Sequence, residues 1–82
     1  MWWVYVLRCQ DGTFYTGIAK DVGQRVAAHA AGRGARYTRG RGPLTLWWSD
    51  GPFAHGEALR IERRVKRLSH QEKCALGGSP HE

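Results

Sequence analysis

Cysteine is scarce in this 82-residue chain: Cys9 and Cys74 stand far apart, with no CxxC spacing. Two such thiols argue against a disulfide framework, and four scattered histidines beside them do not make a structural zinc site. Acidic residues are few as well, 7 against 13 lysines and arginines, giving a net charge of +6 and a pI near 10.0. A nucleic acid or another polyanion is therefore the expected partner, the alternative being a basic surface that serves only solubility. No apolar run approaches the ~20 residues that span a bilayer. The N-terminus lacks the basic and long apolar regions of a signal peptide. The expectation is a cytoplasmic protein without membrane contact. Its length permits one small domain. Four tryptophans help it bury enough surface, since a large aromatic buries roughly 150–250 Å².

Residues 2–8 (Trp-Trp-Val-Tyr-Val-Leu-Arg) have the β-branched and aromatic composition of a strand. Residues 13–19 form a second strand after the hairpin signal Asp11-Gly12. The connection decides what the pair can do, because side chains alternate faces. A two-residue loop puts Tyr5 and Tyr15 on opposite faces. A three-residue loop, Gln10-Asp11-Gly12 with Gly12 left-handed, pairs Cys9 with Thr13 and Tyr5 with Gly17, and both phenols then share one face. The three-residue loop is the expectation, with Gly17 leaving space beside Tyr5 because it has no side chain.

Asp21 and Gln24 hold the N-cap and capping-box positions of a helix that runs to about Ala31 and closes at Gly32. Val22, Val26 and Ala30 form its apolar stripe, bordered by Arg25 and His29 one turn apart. Residues 32–43 read as a loop rich in arginine and glycine. Leu44 to Ser49 is a third strand with Trp47 and Trp48 on opposite faces, broken by Asp50-Gly51-Pro52. A second helix from about Ala54 to Leu68 carries Ala58, Ile61, Val65 and Leu68 on one stripe. Ser69, with Glu72 as box partner, caps a short last helix. Residues 1–76 form a single domain and 77–82 a flexible C-terminal tail. The fold class is α/β in the broad sense (α+β), a small antiparallel sheet flanked by helices.

On the second helix Arg60, Arg63, Arg64 and Arg67 lie away from the apolar stripe, whereas Glu62 falls at the edge of the buried side. A carboxylate there needs a partner. Either Lys66 at i+4 supplies an ordinary ion pair, or one Mg²⁺ or Mn²⁺ ion does, keeping several waters and taking phosphate oxygens from a substrate. Arg25 is either a solvated helix residue or a bidentate clamp on a phosphate. His29 is either structural or a group that accepts a proton or positions water or a phenol. Tyr5 and Tyr15 are core residues, or bases if nearby cations depress a phenol pKa near 10. In the loop, Arg33, Arg36, Arg39 and Arg41 suit phosphate contacts and Tyr37 suits stacking on an unpaired base, the alternative being a mobile surface loop. Lys66 joins that set of nucleic-acid contacts. Nothing in it specifies a base sequence.

Taken in order, Tyr5 … Tyr15-Thr16-Gly17 … Arg25-x-x-x-His29 … Glu62 resembles the GIY-YIG nuclease superfamily, above all its small single-domain members, over residues 2 to about 73. The resemblance implies a three-stranded antiparallel sheet flanked by helices and metal-dependent cleavage of a DNA phosphodiester. It matches Tyr5 and Tyr15 to the tyrosines of the two naming motifs, Arg25 to the helix arginine, His29 to the His or Tyr one turn later, and Glu62 to the metal-binding glutamate. A tyrosine assisted by His29 would then help deprotonate the attacking water, while a metal on Glu62 and Arg25 stabilise the developing charge. Either tyrosine fits as the base. The chain departs from the pattern in places. Trp3-Val4-Tyr5 and Tyr15-Thr16-Gly17 are degenerate, Ile18 stands where some members have lysine, and the late asparagine of many members is missing, for the chain has no asparagine.

The expected function is a metal-dependent endonuclease with little sequence preference, acting on single-stranded, flapped or branched DNA in repair or recombination. Two alternatives belong to other classes. One is a nucleic-acid-binding module without catalysis. The other is a subunit of a larger DNA-processing complex, contacting a partner through an exposed tryptophan, Trp2 or Trp48.

Overall fold

A computed structural model of the protein describes residues 1–77. Strands β1 (Trp2–Arg8) and β2 (Phe14–Ala19) are joined by the expected tight turn. Tyr5 lies opposite Gly17 and Arg8 opposite Phe14, and the Cys9 N–H donates to Thr13 O at 2.8 Å. Gly12 has φ +85°, the left-handed conformation that closes a three-residue loop. Asp11 fixes the turn by accepting from the Thr13 N–H and hydroxyl. The phenols of Tyr5 and Tyr15 accordingly share one face.

Helix α1 (Val22–Ala30) is capped by Asp21, whose side chain accepts from Gln24 N. It closes with Gly32 N bonded to His29 O and Arg33 N to Ala28 O. A 3₁₀ turn (Arg36–Thr38) leads to β3 (Thr45–Phe53), α2 (His55–Lys66) and α3 (His70–Gly77). The sheet is antiparallel in the order β2-β1-β3, so β1 is central. Val4 and Val6 look to one face, where Ala58 and Val65 of α2 join them and Ile61 and Leu68 pack against the cluster. Tyr5 and Leu7 look to the other, against Ala19, Val22 and Val26. Fully burying one such aliphatic side chain contributes roughly 1.5–3 kcal/mol, so β1 anchors both layers. Ser69 and Glu72 exchange both bonds of a capping box at α3.

Four expectations change. The third strand does not stop at Asp50-Gly51-Pro52; it continues to Phe53, because the chain there bulges on an edge strand, where proline is tolerated. A second irregularity, between the Val6–Trp48 and Leu7–Leu46 pairs, leaves Trp47 as an extra residue. Trp47 and Trp48 therefore pack on the same cluster instead of opposite faces. Trp2 and Trp48 are half-buried rather than exposed partner contacts; the large apolar side chains most open to solvent are Met1, Tyr37 and Leu46. In α1 it is His29, 2% exposed, and not Ala30 that turns inward beside Val22 and Val26. A buried tyrosine needs a polar partner, and α1 is rotated to give Tyr5 one.

The segment 32–43 is pinned rather than mobile. Thr38 is buried. Gln10 N donates to Arg41 O at 2.9 Å, and the Arg41 guanidinium bonds Asp11 Oδ2 at 2.6 Å. Gly77 closes α3; residues 78–82, the rest of the expected tail, lie outside the described residues.

Candidate active site

Tyr5 reaches across beneath β2 to a place only glycine allows. A Cβ on Gly17 would stand 2.6 Å from the Tyr5 hydroxyl oxygen. There the Tyr5 hydroxyl meets His29 Nε2 at 2.9 Å, with both residues buried. The opposite ring nitrogen, Nδ1, lies 2.9 Å from Thr38 Oγ1. Thr38 donates its single proton to Ala35 O at 2.9 Å, so towards His29 it accepts. This network assigns the imidazole proton to Nδ1, leaves Nε2 with a free lone pair, and makes Tyr5 the donor. The Ala35 N–H also points at Nδ1, from 3.3 Å, as a donor that only the other tautomer would accept; the two 2.9 Å bonds outweigh that longer contact. Gly34 lies so close to the imidazole that any Cβ there would collide with it.

Burial lowers the His29 pKa from its ordinary value, and the positive charge of Arg25 lowers it further. The ring is neutral at physiological pH. Burial also raises the Tyr5 pKa, against the opposing influence of Arg25, while the neighbouring Tyr15 and Glu62 add to the rise. Arg25 does pull the Tyr5 phenol down, as a nearby cation should, but desolvation outweighs it and the hydroxyl is protonated at rest. Tyr15, half-buried, holds its ring 5.2 Å from that of His29 and 6.4 Å from that of Tyr5. Tyr37 stacks on Tyr15 at 6.0 Å, with the Arg41 guanidinium 4.2 Å above Tyr37.

The fields of Arg25, Tyr15 and Glu62 all reach Tyr5, and that of Arg25 also reaches His29. Glu62 is 16% exposed, and Lys66 Nζ lies 3.4 Å from its Oε2. Arg33, Arg36 and Arg39 are exposed on the adjoining segment. Of the expected phosphate contacts, Arg41 also pairs with Asp11, and Lys66 lies beside Glu62, the i+4 partner the sequence allowed.

A sequence model of the GIY-YIG catalytic domain matches residues 1–74. The chain belongs to the GIY-YIG family. It is 53% identical over 73 residues to a UPF0213 protein of Halobacterium salinarum, covering 89% of this chain and 95% of that one. A UPF0213 protein of Bacillus halodurans, solved by solution NMR, superposes with a TM-score of 0.59 at 45% identity, covering 100% of this chain and 92% of that chain. An Enterococcal relative, a protein of E. faecalis also solved by NMR, gives a TM-score of 0.60 at 30% identity, covering 98% of this chain and 90% of that chain. Membership in the GIY-YIG family supports a nuclease-type function with DNA as substrate.

GIY-YIG nucleases generally use divalent metal ions. Among the described residues no three His, Cys, Asp or Glu side chains cluster as a metal site. Glu62 fits the part of a single carboxylate ligand. Its pairing with Lys66 at 3.4 Å is looser than a hydrogen bond, and a hard cation that keeps its waters needs only one or two carboxylates plus substrate phosphate. No helix among the described residues is long and apolar enough to cross a membrane.

Three participants escape a reading of the sequence. Thr38, Ala35 and Gly34 sit in an irregular segment, where no periodicity says which side chains point inward. The small residues at 34 and 35 are the one local sign that something must pass close by.

Proposed function

We propose that this chain is a metal-dependent endonuclease that hydrolyses DNA phosphodiester bonds with little sequence preference, favouring single-stranded or branched substrates. The observation that carries the reading is the buried chain Tyr5 Oη–H to His29 Nε2, and His29 Nδ1–H to Thr38 Oγ1, set beside Arg25 and Glu62.

With its own proton committed to Nε2, the Tyr5 oxygen has lone pairs free to accept one from water. As water attacks phosphorus, its proton passes to Tyr5 while the phenol proton moves to His29, and the bond from phosphorus to the leaving 3′ oxygen breaks, that oxygen taking its proton from solvent water. His29 ends as an imidazolium whose Nδ1–H Thr38 continues to hold, so Thr38 is a positioning residue. Arg25 offers a fork of donors to the non-bridging oxygens where negative charge develops. Tyr15, held between the rings of His29 and Tyr37, orients the phosphate. A divalent cation on Glu62 would neutralise phosphate charge and ease the deprotonation of water. Arg33, Arg36 and Arg39 draw in the strand without reading bases.

The test is cutting of labelled single-stranded, duplex and flapped DNA in Mg²⁺, Mn²⁺ or EDTA. Metal-dependent nicking, strongest on unpaired or branched DNA, is expected. DNA binding without cutting under any of these conditions would remove catalysis from the isolated chain.

A further inference from the structure

Beside the proposed active site a cleft of about 500 Å³ is lined by Trp2, Ile18, Lys20, Asp21, Gln24 and Arg25. It crosses the outer edge of β2: Trp2 and Ile18 belong to the cluster on the α2 face of the sheet, while Gln24 and Arg25 come from α1 on the other. Arg25 is common to the cleft and to the proposed reaction centre. We propose that this cleft binds one unpaired nucleotide of the strand being cut, next to the scissile phosphate. The proposal rests on the nuclease reading and names the feature that would make it prefer unpaired DNA.

The size lies within the roughly 300–1,000 Å³ typical of small-ligand sites. A base that enters has left its duplex stack, so single strands, flaps and flipped bases qualify and an intact base pair does not. The half-buried Trp2 indole supplies the stacking platform. Its open face is marked by the exposed Lys20 ammonium, 5.4 Å from the ring centroid. The imidazole of His55, 4.7 Å away by centroids, supports the indole from α2. An exposed cation–π contact is weaker than base–aromatic stacking, so a base displaces Lys20, which then meets the adjoining phosphate. The Gln24 amide and the outward N–H and C=O groups of edge strand β2 offer hydrogen bonds to base edges. The Asp21 carboxylate is engaged as the α1 cap through Gln24 N, where the helix dipole offsets its charge. Nothing in this set distinguishes one base from another.

The test uses full-length protein carrying Glu62→Gln as the non-cutting parent, in EDTA, and fluorescence anisotropy of single-stranded oligonucleotides. One oligonucleotide is intact, and the others each lack one base. Trp2→Leu should weaken binding of the intact strand roughly tenfold, and Trp2→Phe should retain most of it. One abasic position should weaken binding by the parent but not by Trp2→Leu, because both changes remove the same stack. Lys20→Gln should flatten the log–log salt dependence by about 0.7, one phosphate contact on a single strand. If Trp2→Leu fails to fold, Trp2→Phe and the exposed Lys20→Gln still decide. Parent-like binding by Trp2→Leu and Lys20→Gln, with abasic sensitivity intact, would overturn the subsite and leave the nuclease reading standing. A parent that binds no DNA, with a wild type that cuts none, would overturn both.

Discussion

Tyr5 and His29, 24 residues apart in the chain, share a 2.9 Å hydrogen bond in which the phenol donates to Nε2. The direction depends on Thr38, which accepts from Nδ1 and so fixes the tautomer. Nitrogen NMR of the His29 imidazole should accordingly show a protonated Nδ1 and a bare Nε2. A spectrum with the proton on Nε2 would reverse the proposed direction of transfer.

Thr38→Val keeps the shape of the side chain and removes its oxygen. Loss of one buried hydrogen bond costs on the order of 1–3 kcal/mol; carried in full into the barrier, that slows DNA cutting roughly 5- to 150-fold. Thr38→Ser should restore most of the rate. The telling comparison is the His29 tautomer in all three proteins: a purely structural Thr38 would leave it unchanged wherever the fold survives.

Gly17→Ala tests the packing of Tyr5. A methyl group 2.6 Å from the hydroxyl oxygen must displace the phenol or move β2, at a cost of roughly 1–3 kcal/mol in stability. Urea unfolding should show that loss, with cutting largely abolished even in the folded fraction. Normal activity would mean that the hydroxyl is not needed where it lies.

The stability of the domain should fall as pH drops through the ordinary histidine range. Burial and Arg25 hold the His29 pKa below its usual 6.5. Below that value the unfolded chain therefore binds a proton that the folded chain refuses, and folding is penalised. The contribution is complete above pH 6.5 and is lost as pH falls towards the depressed value. The Asp11 pKa is also lowered, but from 3.8, so its effect belongs to more acid solution. His29→Gln should flatten the thermal stability profile in the upper window alone.

Thr16 carries a buried hydroxyl with no hydrogen-bond partner among the described residues, on the face opposite Tyr15. Thr16→Val should therefore stabilise the fold by about 1 kcal/mol, which raises Tm by roughly 4–8 °C in a domain of this size. Calorimetry decides it; an unchanged or lower Tm would show that the hydroxyl is satisfied in solution.

Much of this arrangement is legible in the chain itself. The three-residue Gln10-Asp11-Gly12 loop and strict alternation place both phenols on one face, and Gly17 opposite Tyr5 follows from the same register. Capping residues Asp21 and Ser69 locate two helix starts. Helical periodicity also puts Glu62 at the edge of the buried side. What alternation cannot foresee is where it lapses, as at Trp47, where an extra residue resets the face. Nor does composition reveal that Arg41 is occupied by Asp11, a contact between residues 30 apart. The rotation of α1 follows from a polar bond, Tyr5 to His29, whereas the apolar stripe alone points to Ala30. Thr38 needs the folded path of residues 32–43 to become visible at all.

The most direct measurement sets wild type beside Glu62→Ala, following both cutting and binding of a labelled flapped DNA in Mg²⁺ and Mn²⁺. The account predicts metal-dependent cutting by wild type, and a mutant that binds the same DNA yet leaves it whole. Equal cutting by both proteins, or binding by wild type with no cutting in either metal, would contradict it.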